Sequence, residues 1–275
     1  MKLKYTTKLF IVVNAIVSIF RTLQIMRMTE PKTAFLKDDF TVVSIIGEAI
    51  SVIAIVLLFI NASQAVRQPE KINCKGVLSA VAAGITGVLY LLSGLLSALN
   101  RAFGWQMILL TAILSAVSAA LMIAAAFSDF KYPKFAALLP ITFWLTVLLT
   151  AYIKYTERAL RVRTVYEIFA ICAVVLFLVS YGKAISGVNP KKNFRMLYPL
   201  GLTAATLCIA SVLPEAIAFI FGKGANVSSS AVSVAALAAG AVFTGFFTIN
   251  TFKKSNTVHP KKKMMMENSS SDSEN

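Results

Sequence analysis

Blocks of about twenty apolar residues recur along this chain, separated by short basic segments, and that pattern leaves few folds open. A helix needs about 20 residues to cross about 30 Å of hydrocarbon at 1.5 Å per residue. Eight such blocks can be placed, at roughly 7–27, 41–61, 76–98, 105–128, 135–153, 165–185, 196–221 and 228–252. None alternates polar and apolar residues in the ten-residue units of a transmembrane barrel strand. The fold class expected is therefore all-α, a polytopic transmembrane helix bundle over residues 1–254. Composition agrees: 57% of residues are hydrophobic and 14% charged, against about 25% charged in an ordinary soluble domain.

The N-terminus, MKLKYTTKLFIVVNAIVSIF, has the basic start and apolar core of a signal peptide. No small-x-small cleavage site follows, so it reads as a retained first span. Residues 255–275, with their lysines, serines and acidic end, lack the means to bury a core and are expected to form a disordered cytoplasmic tail.

A formal charge of +15 raises the question of nucleic acid. The basic residues sit in loops and tails, where they orient spans and meet anionic headgroups. No soluble domain is available to carry a nucleic-acid site, so the partner expected is the lipid bilayer, with a small solute or ion as a second; a homo-oligomer is left open. With the N-terminus inside, the inner face holds 17 lysines and arginines and the outer face 9, which favours both termini in the cytoplasm. One loop resists: IKYTERALRVRT would place Lys154, Arg158, Arg161 and Arg163 outside.

Chemistry-bearing residues are few. Cys74, Cys172 and Cys208 are isolated and the single histidine, His259, is in the tail, so neither a disulfide framework nor a metal site is expected. Ser–His proteases and membrane metalloproteases lack their parts, and no GxxxxGK[ST] loop occurs. No cofactor is implied, and the chain is not expected to be an enzyme.

What stands out is charge within the spans. Asn14, Ser18 and Arg21 share one face of the first span; Ser44, Glu48 and Ser51 share one face of the second. Folded as a hairpin about residue 34, the two spans bring Arg21 and Glu48 to nearly equal depth, where they can pair. A charge at mid-membrane costs about 2.5–3.5 kcal/mol on insertion scales. A pair at about 4 Å gains roughly 4 kcal/mol at an effective dielectric of about 20, so pairing makes Glu48 tolerable without explaining why it is there. Glu167 starts the sixth span, with Arg163 one turn before it. Glu215 follows Pro214 in the seventh, on a face with Cys208 and Ser211. In the N-inside topology all four ionisable residues fall in the outer half of the membrane. They suggest one outward-facing polar pocket, in which Arg21, Glu48, Glu167 and Glu215 are the ligand- or proton-binding candidates. A structural ion pair explains Arg21 and Glu48 as well as a binding site does, and an interfacial bridge to Arg163 accounts for Glu167.

Small residues fill other faces: Gly84, Gly87, Gly94 and Ala98 in the third span, Ala112, Ala116 and Ala119 in the fourth, Ala241 and Gly245 in the eighth. Such spacing lets helix backbones approach. Trp105, Tyr132, Tyr152 and Tyr198 lie near span ends, where aromatic belts form.

The stretch FRTLQIMRMTEPKTAFLKDDF, residues 20–40, resembles a signature of an uncharacterised family of multi-pass membrane proteins from Gram-positive bacteria. That signature joins Arg-x-x-Gln to an acidic-Pro-x-Thr-Gly-Phe loop. Arg21, Gln24, Glu30, Pro31, Thr33 and Phe35 match it, and Ala34 stands where the glycine would be. The resemblance implies a bacterial cell membrane location and assigns no activity. Three readings remain: a small transporter or permease, a non-catalytic membrane scaffold or sensor, and, last, an enzyme on lipid-linked substrates.

Overall fold

A computed structural model of the chain describes residues 2–29, 37–65, 77–99, 105–127, 138–157, 162–186, 188, 190–222 and 231–257. The described residues form eight long helices: α1 (Lys2–Leu23), α2 (Thr41–Ala65), α3 (Val77–Leu99), α4 (Trp105–Phe127), α5 (Leu139–Glu157), α6 (Val162–Ile185), α7 (Pro190–Ile220) and α8 (Ala231–Thr257). Seven contain stretches long and apolar enough to cross a membrane, and the apolar part of α5, Leu139–Ile153, is shorter. This is a polytopic helical membrane protein. The spans expected from hydropathy correspond one to one with these helices. Helix α8 runs to Thr257, past the expected tail boundary, and the rest of that tail lies outside the described residues.

Helices α3, α4, α5, α6, α7 and α8 pack in that order into a closed ring, with α8 returning against α3. The α1–α2 hairpin lies outside the ring, and its main neighbour there is α7. Tyr90 of α3, Phe143 and Trp144 of α5, Phe177 and Tyr181 of α6, and Phe243 and Phe247 of α8 fill much of the ring interior, each nearly or wholly buried. Their rings meet mainly edge to face, Tyr90 on Phe143 at 5.0 Å and Tyr181 on Phe247 at 5.3 Å between centroids, the arrangement aromatic quadrupoles favour. The buried Trp144 Nε1 donates to the Tyr90 hydroxyl at 2.7 Å, which satisfies both polar tips away from water.

Outside, the surface is inverted relative to a soluble protein. Helix α2 exposes Ile45, Ile46, Ile50, Ile53, Val56, Leu57 and Ile60, and the other helices expose comparable rows. Contiguous apolar surface on this scale belongs against acyl chains. Polar side chains face inward instead. Ser79, Thr86 and Ser93 recur every seventh residue of α3 and are buried; Ser93 donates to the Val232 carbonyl at 3.1 Å and Ser79 accepts from Asn250 at 2.5 Å, tying both ends of α3 to α8.

The small-residue faces are partly as expected. A Cβ on Gly94 would fall 1.9 Å from Ser115 Oγ, and one on Gly87 would fall 2.7 Å from Ile123, so both mark the close α3–α4 approach. Gly245 likewise packs on Ala205 of α7. Gly84 has open space beside it, and Ala98 and Ala116 are exposed. The buried face of α4 runs through Thr111, Ser115, Ser118 and Ala119, and Ala112 approaches Gly94 as expected. Of the belt residues, Trp105 and Tyr152 are exposed, whereas Tyr198 is buried against Phe252 at 4.7 Å; Tyr132 lies outside the described residues.

Two ends of the bundle are distinguishable. Thr6 donates to Asn61, Asn250 donates to Ser79, and Tyr198 packs on Phe252. These contacts gather the starts of α1, α3 and α7 with the ends of α2 and α8. Arg21, Glu48, Glu167 and Glu215 lie at the opposite end.

Candidate functional site

Helix α1 does not stop at Leu23 but widens into a π-helical turn, Gln24–Met28. Such turns often sit at functional positions because they re-aim side chains. Beyond it, the Lys37 amide donates to the Met28 carbonyl at 2.9 Å, closing the connection to α2. Glu30, Pro31, Thr33, Ala34 and Phe35 of the loop signature lie outside the described residues.

Arg21 and Gln24, three residues apart, are both almost fully buried, at 2% and 1% exposure. The hairpin packs tightly enough for this because Gly47 of α2 lies under the Phe20 ring, where a Cβ would be 2.0 Å from it. Arg21 Nη1 lies 3.5 Å from Glu48 Oε1 and donates to Gln24 Oε1. The Gln24 amide passes the connection on, donating to Ser44 Oγ at 2.6 Å and to Glu48 Oε1 at 3.0 Å. Tyr166 of α6 donates to Glu48 Oε2 and sets its ring against the guanidinium, 4.2 Å from Cζ to the ring centroid. Both oxygens of Glu48 thus have hydrogen-bond donors. The cation–π contact adds to the stabilisation of Arg21 in a site with little water.

Arg21 also lines a cavity of about 10 Å³, with Glu167, Ser211, Val212, Glu215, Ser233, Val234 and Leu237. That volume holds about one water molecule. Glu215 is buried, at 5% exposure, and reaches the cavity from α7 one turn beyond Ser211. Pro214 sits inside α7, which remains helical through it. A proline there removes the bond that the Ala210 carbonyl would accept, loosening the backbone beside the carboxylate. Helix α7 ends soon after, where Gly222 takes φ +71° and its amide caps the Phe219 carbonyl.

The four candidate residues therefore gather at one end of the bundle, as their spacing in the sequence suggests, but in two linked parts. Glu48 belongs to the hairpin network; Glu167 and Glu215 line the cavity; Arg21 touches both. Tyr166 and Glu167, adjacent on α6, serve one part each. Among the described residues no group of three or more histidine, cysteine or acidic side chains is gathered to hold a metal ion. The Arg163 side chain, the expected partner of Glu167, lies outside the described residues, as do Arg158 and Arg161.

Two members were not singled out from the sequence as site residues. Gln24 carries the signal in its spacing, three residues after Arg21 on the same face. Tyr166 carries none beyond its place beside Glu167, because nothing local says that α6 will meet the hairpin. Searches of protein-family models, of curated proteins and of solved structures found no match to this chain.

Proposed function

We propose that this membrane protein is a small transporter of the permease type, in which protons enter a polar pocket at the end of the bundle remote from the chain termini. The observation that supports this reading is the cavity itself. Two carboxylates and a guanidinium from three helices meet in a space of about 10 Å³, where a charge without a partner is costly. A carboxylate in such a place is held by a proton or a counter-ion; in this reading Glu215 is the proton site, Glu167 its neighbour in the cavity lining, and Arg21 the counter-charge shared with Glu48. The excess of basic residues on the opposite face supports an outward orientation of this end, and the resemblance of residues 20–40 implies a bacterial cell membrane.

The test is proton uptake by vesicles that contain the purified protein and a trapped pH-sensitive dye, with the membrane potential clamped. An acid pulse should acidify wild-type vesicles faster than protein-free ones, and Glu215→Gln should return the rate to the protein-free leak. Equal rates in wild-type and empty vesicles reject the proposal. Orientation is tested separately by labelling Lys37→Cys from outside intact cells; labelling only after lysis would turn the pocket inward.

A second reading, a scaffold or sensor whose charges secure packing, is favoured by the aromatic filling of the six-helix ring. The exchange Arg21→Glu with Glu48→Arg separates the two. It restores abundance under either reading, but it restores function only under the scaffold reading.

A further inference from the structure

Aromatic side chains fill much of the ring interior, which favours a path for water or protons at the helix contacts outside it. The interface between α1 and α7 offers one. Ser18 and Asn14 continue the face of Arg21 down α1, three and seven residues before it. Ser18 is 6% exposed, and its hydroxyl oxygen has no hydrogen-bond partner among the described residues. The side-chain oxygen of Asn14 is equally buried and unpartnered. Its nitrogen donates to the Phe10 carbonyl at 2.8 Å and to Thr206 Oγ1 of α7 at 3.3 Å. Thr203, one turn before Thr206 on α7, also has a buried hydroxyl without a partner. Two such atoms on the α1 face that meets Thr206, with a third one turn along α7, are unexpected in a dry interior, because each would carry an uncompensated desolvation cost.

We infer that the α1–α7 contact is a hydrated polar seam that extends the Arg21 cavity inward. The inference rests on the proposed pocket only for its use, not for its existence. From Arg21 to Asn14 the seam descends seven residues, about 10 Å along the helix axis. Phe10, buried one turn further on the same face, closes it before it reaches the Thr6–Asn61 end. The seam is therefore a half-channel, open toward the charged end and blocked by one aromatic ring. Its ligand class is water, with the protons that move through water.

The test is thiol chemistry in full-length protein in vesicles, with Cys74, Cys172 and Cys208 replaced by alanine and Ag⁺ as the probe. Silver reacts with the thiolate, which forms only where water reaches the sulfur, so Ser18→Cys should be blocked about ten-fold faster than lipid-facing Ile19→Cys or buried Ala119→Cys. Blocked fractions are read by labelling the remaining thiols after denaturation. Equal rates at all three positions overturn the seam. Ser18→Ala gives a second measurement. In a dry interface, removing the unpartnered hydroxyl raises Tm; a hydrated one leaves Tm unchanged or lower, and a clear rise overturns the inference. Blocking at Ser18→Cys without vesicle proton uptake keeps the seam and rejects the transport reading; uptake without blocking does the reverse.

Discussion

Removing the guanidinium of Arg21 is the most informative single perturbation, because one side chain there serves two sets of carboxylates. At 3.5 Å from Glu48, Arg21 gains roughly 5 kcal/mol of Coulomb attraction at an effective dielectric of about 20. Much of that is offset by the burial of the guanidinium, which is 2% exposed. Breaking such a pair from one side costs about 3–5 kcal/mol, since the remaining charge is left buried. Glu48 keeps its bonds from Gln24 and Tyr166 and is 22% exposed, so Arg21→Met should fall at the lower end, near 3 kcal/mol. Glu48→Gln should cost less, about 1–2 kcal/mol, because Arg21 retains Gln24 and the Tyr166 ring. In the double variant both charges are gone. Its total cost should stay near about 2 kcal/mol instead of the sum, a coupling of roughly 2–3 kcal/mol. Reversible unfolding of the purified protein in mixed micelles, all four proteins in parallel, reads this cycle. Additive costs, with coupling under about 0.5 kcal/mol, would refute the energetic link between Arg21 and Glu48.

Tyr166→Phe keeps the ring over Arg21 but loses the hydroxyl to Glu48, so unfolding in the same micelles should show a loss of about 1.5–3 kcal/mol. Gly47→Ala places a Cβ 2.0 Å from the Phe20 ring and should destabilise by about 1–3 kcal/mol through overpacking; Gly84→Ala, with open space beside it, should stabilise by about 0.5 kcal/mol, and the pair run together separates packing from helix propensity. Trp144→Phe strands the Tyr90 hydroxyl and should cost about 1–3 kcal/mol, most of it recovered in the double variant with Tyr90→Phe.

Much of this architecture could be read in the chain before folding, and the reason is lipid. Hydrocarbon forces every backbone amide into its own helix, so counting apolar blocks locates α1 to α8 with little ambiguity. The Arg21–Glu48 pair was legible for the same reason, because two consecutive spans joined by a short loop must run antiparallel at fixed relative depth. Contacts between distant helices were not. Nothing in "TVYEIF" says that Tyr166 will face Glu48 while Glu167 faces Glu215, and small-residue spacing on α3 picked out Gly87 and Gly94 but also the open Gly84 and the exposed Ala98. Helix rotation about its own axis is set by partners, and apolar helices in lipid carry only a weak sequence signal for which face turns inward. Tyr198 misleads in the same way: near a span end an aromatic suggests the interface, yet α8 brings Phe252 over it.

The placement of the α1–α2 hairpin bears on how the chain is made. Synthesis delivers the N-terminal helices first, yet their main neighbour in the finished bundle, α7, is among the last to emerge. During that interval the hairpin must wait in lipid with a guanidinium and a carboxylate already inserted. Gln24, Ser44, Arg21 and Glu48 bond to one another within the hairpin, so it can enter the bilayer as a self-neutralised unit. Glu167 and Glu215 arrive later, on α6 and α7, and only then is the cavity beside the guanidinium lined by further carboxylates.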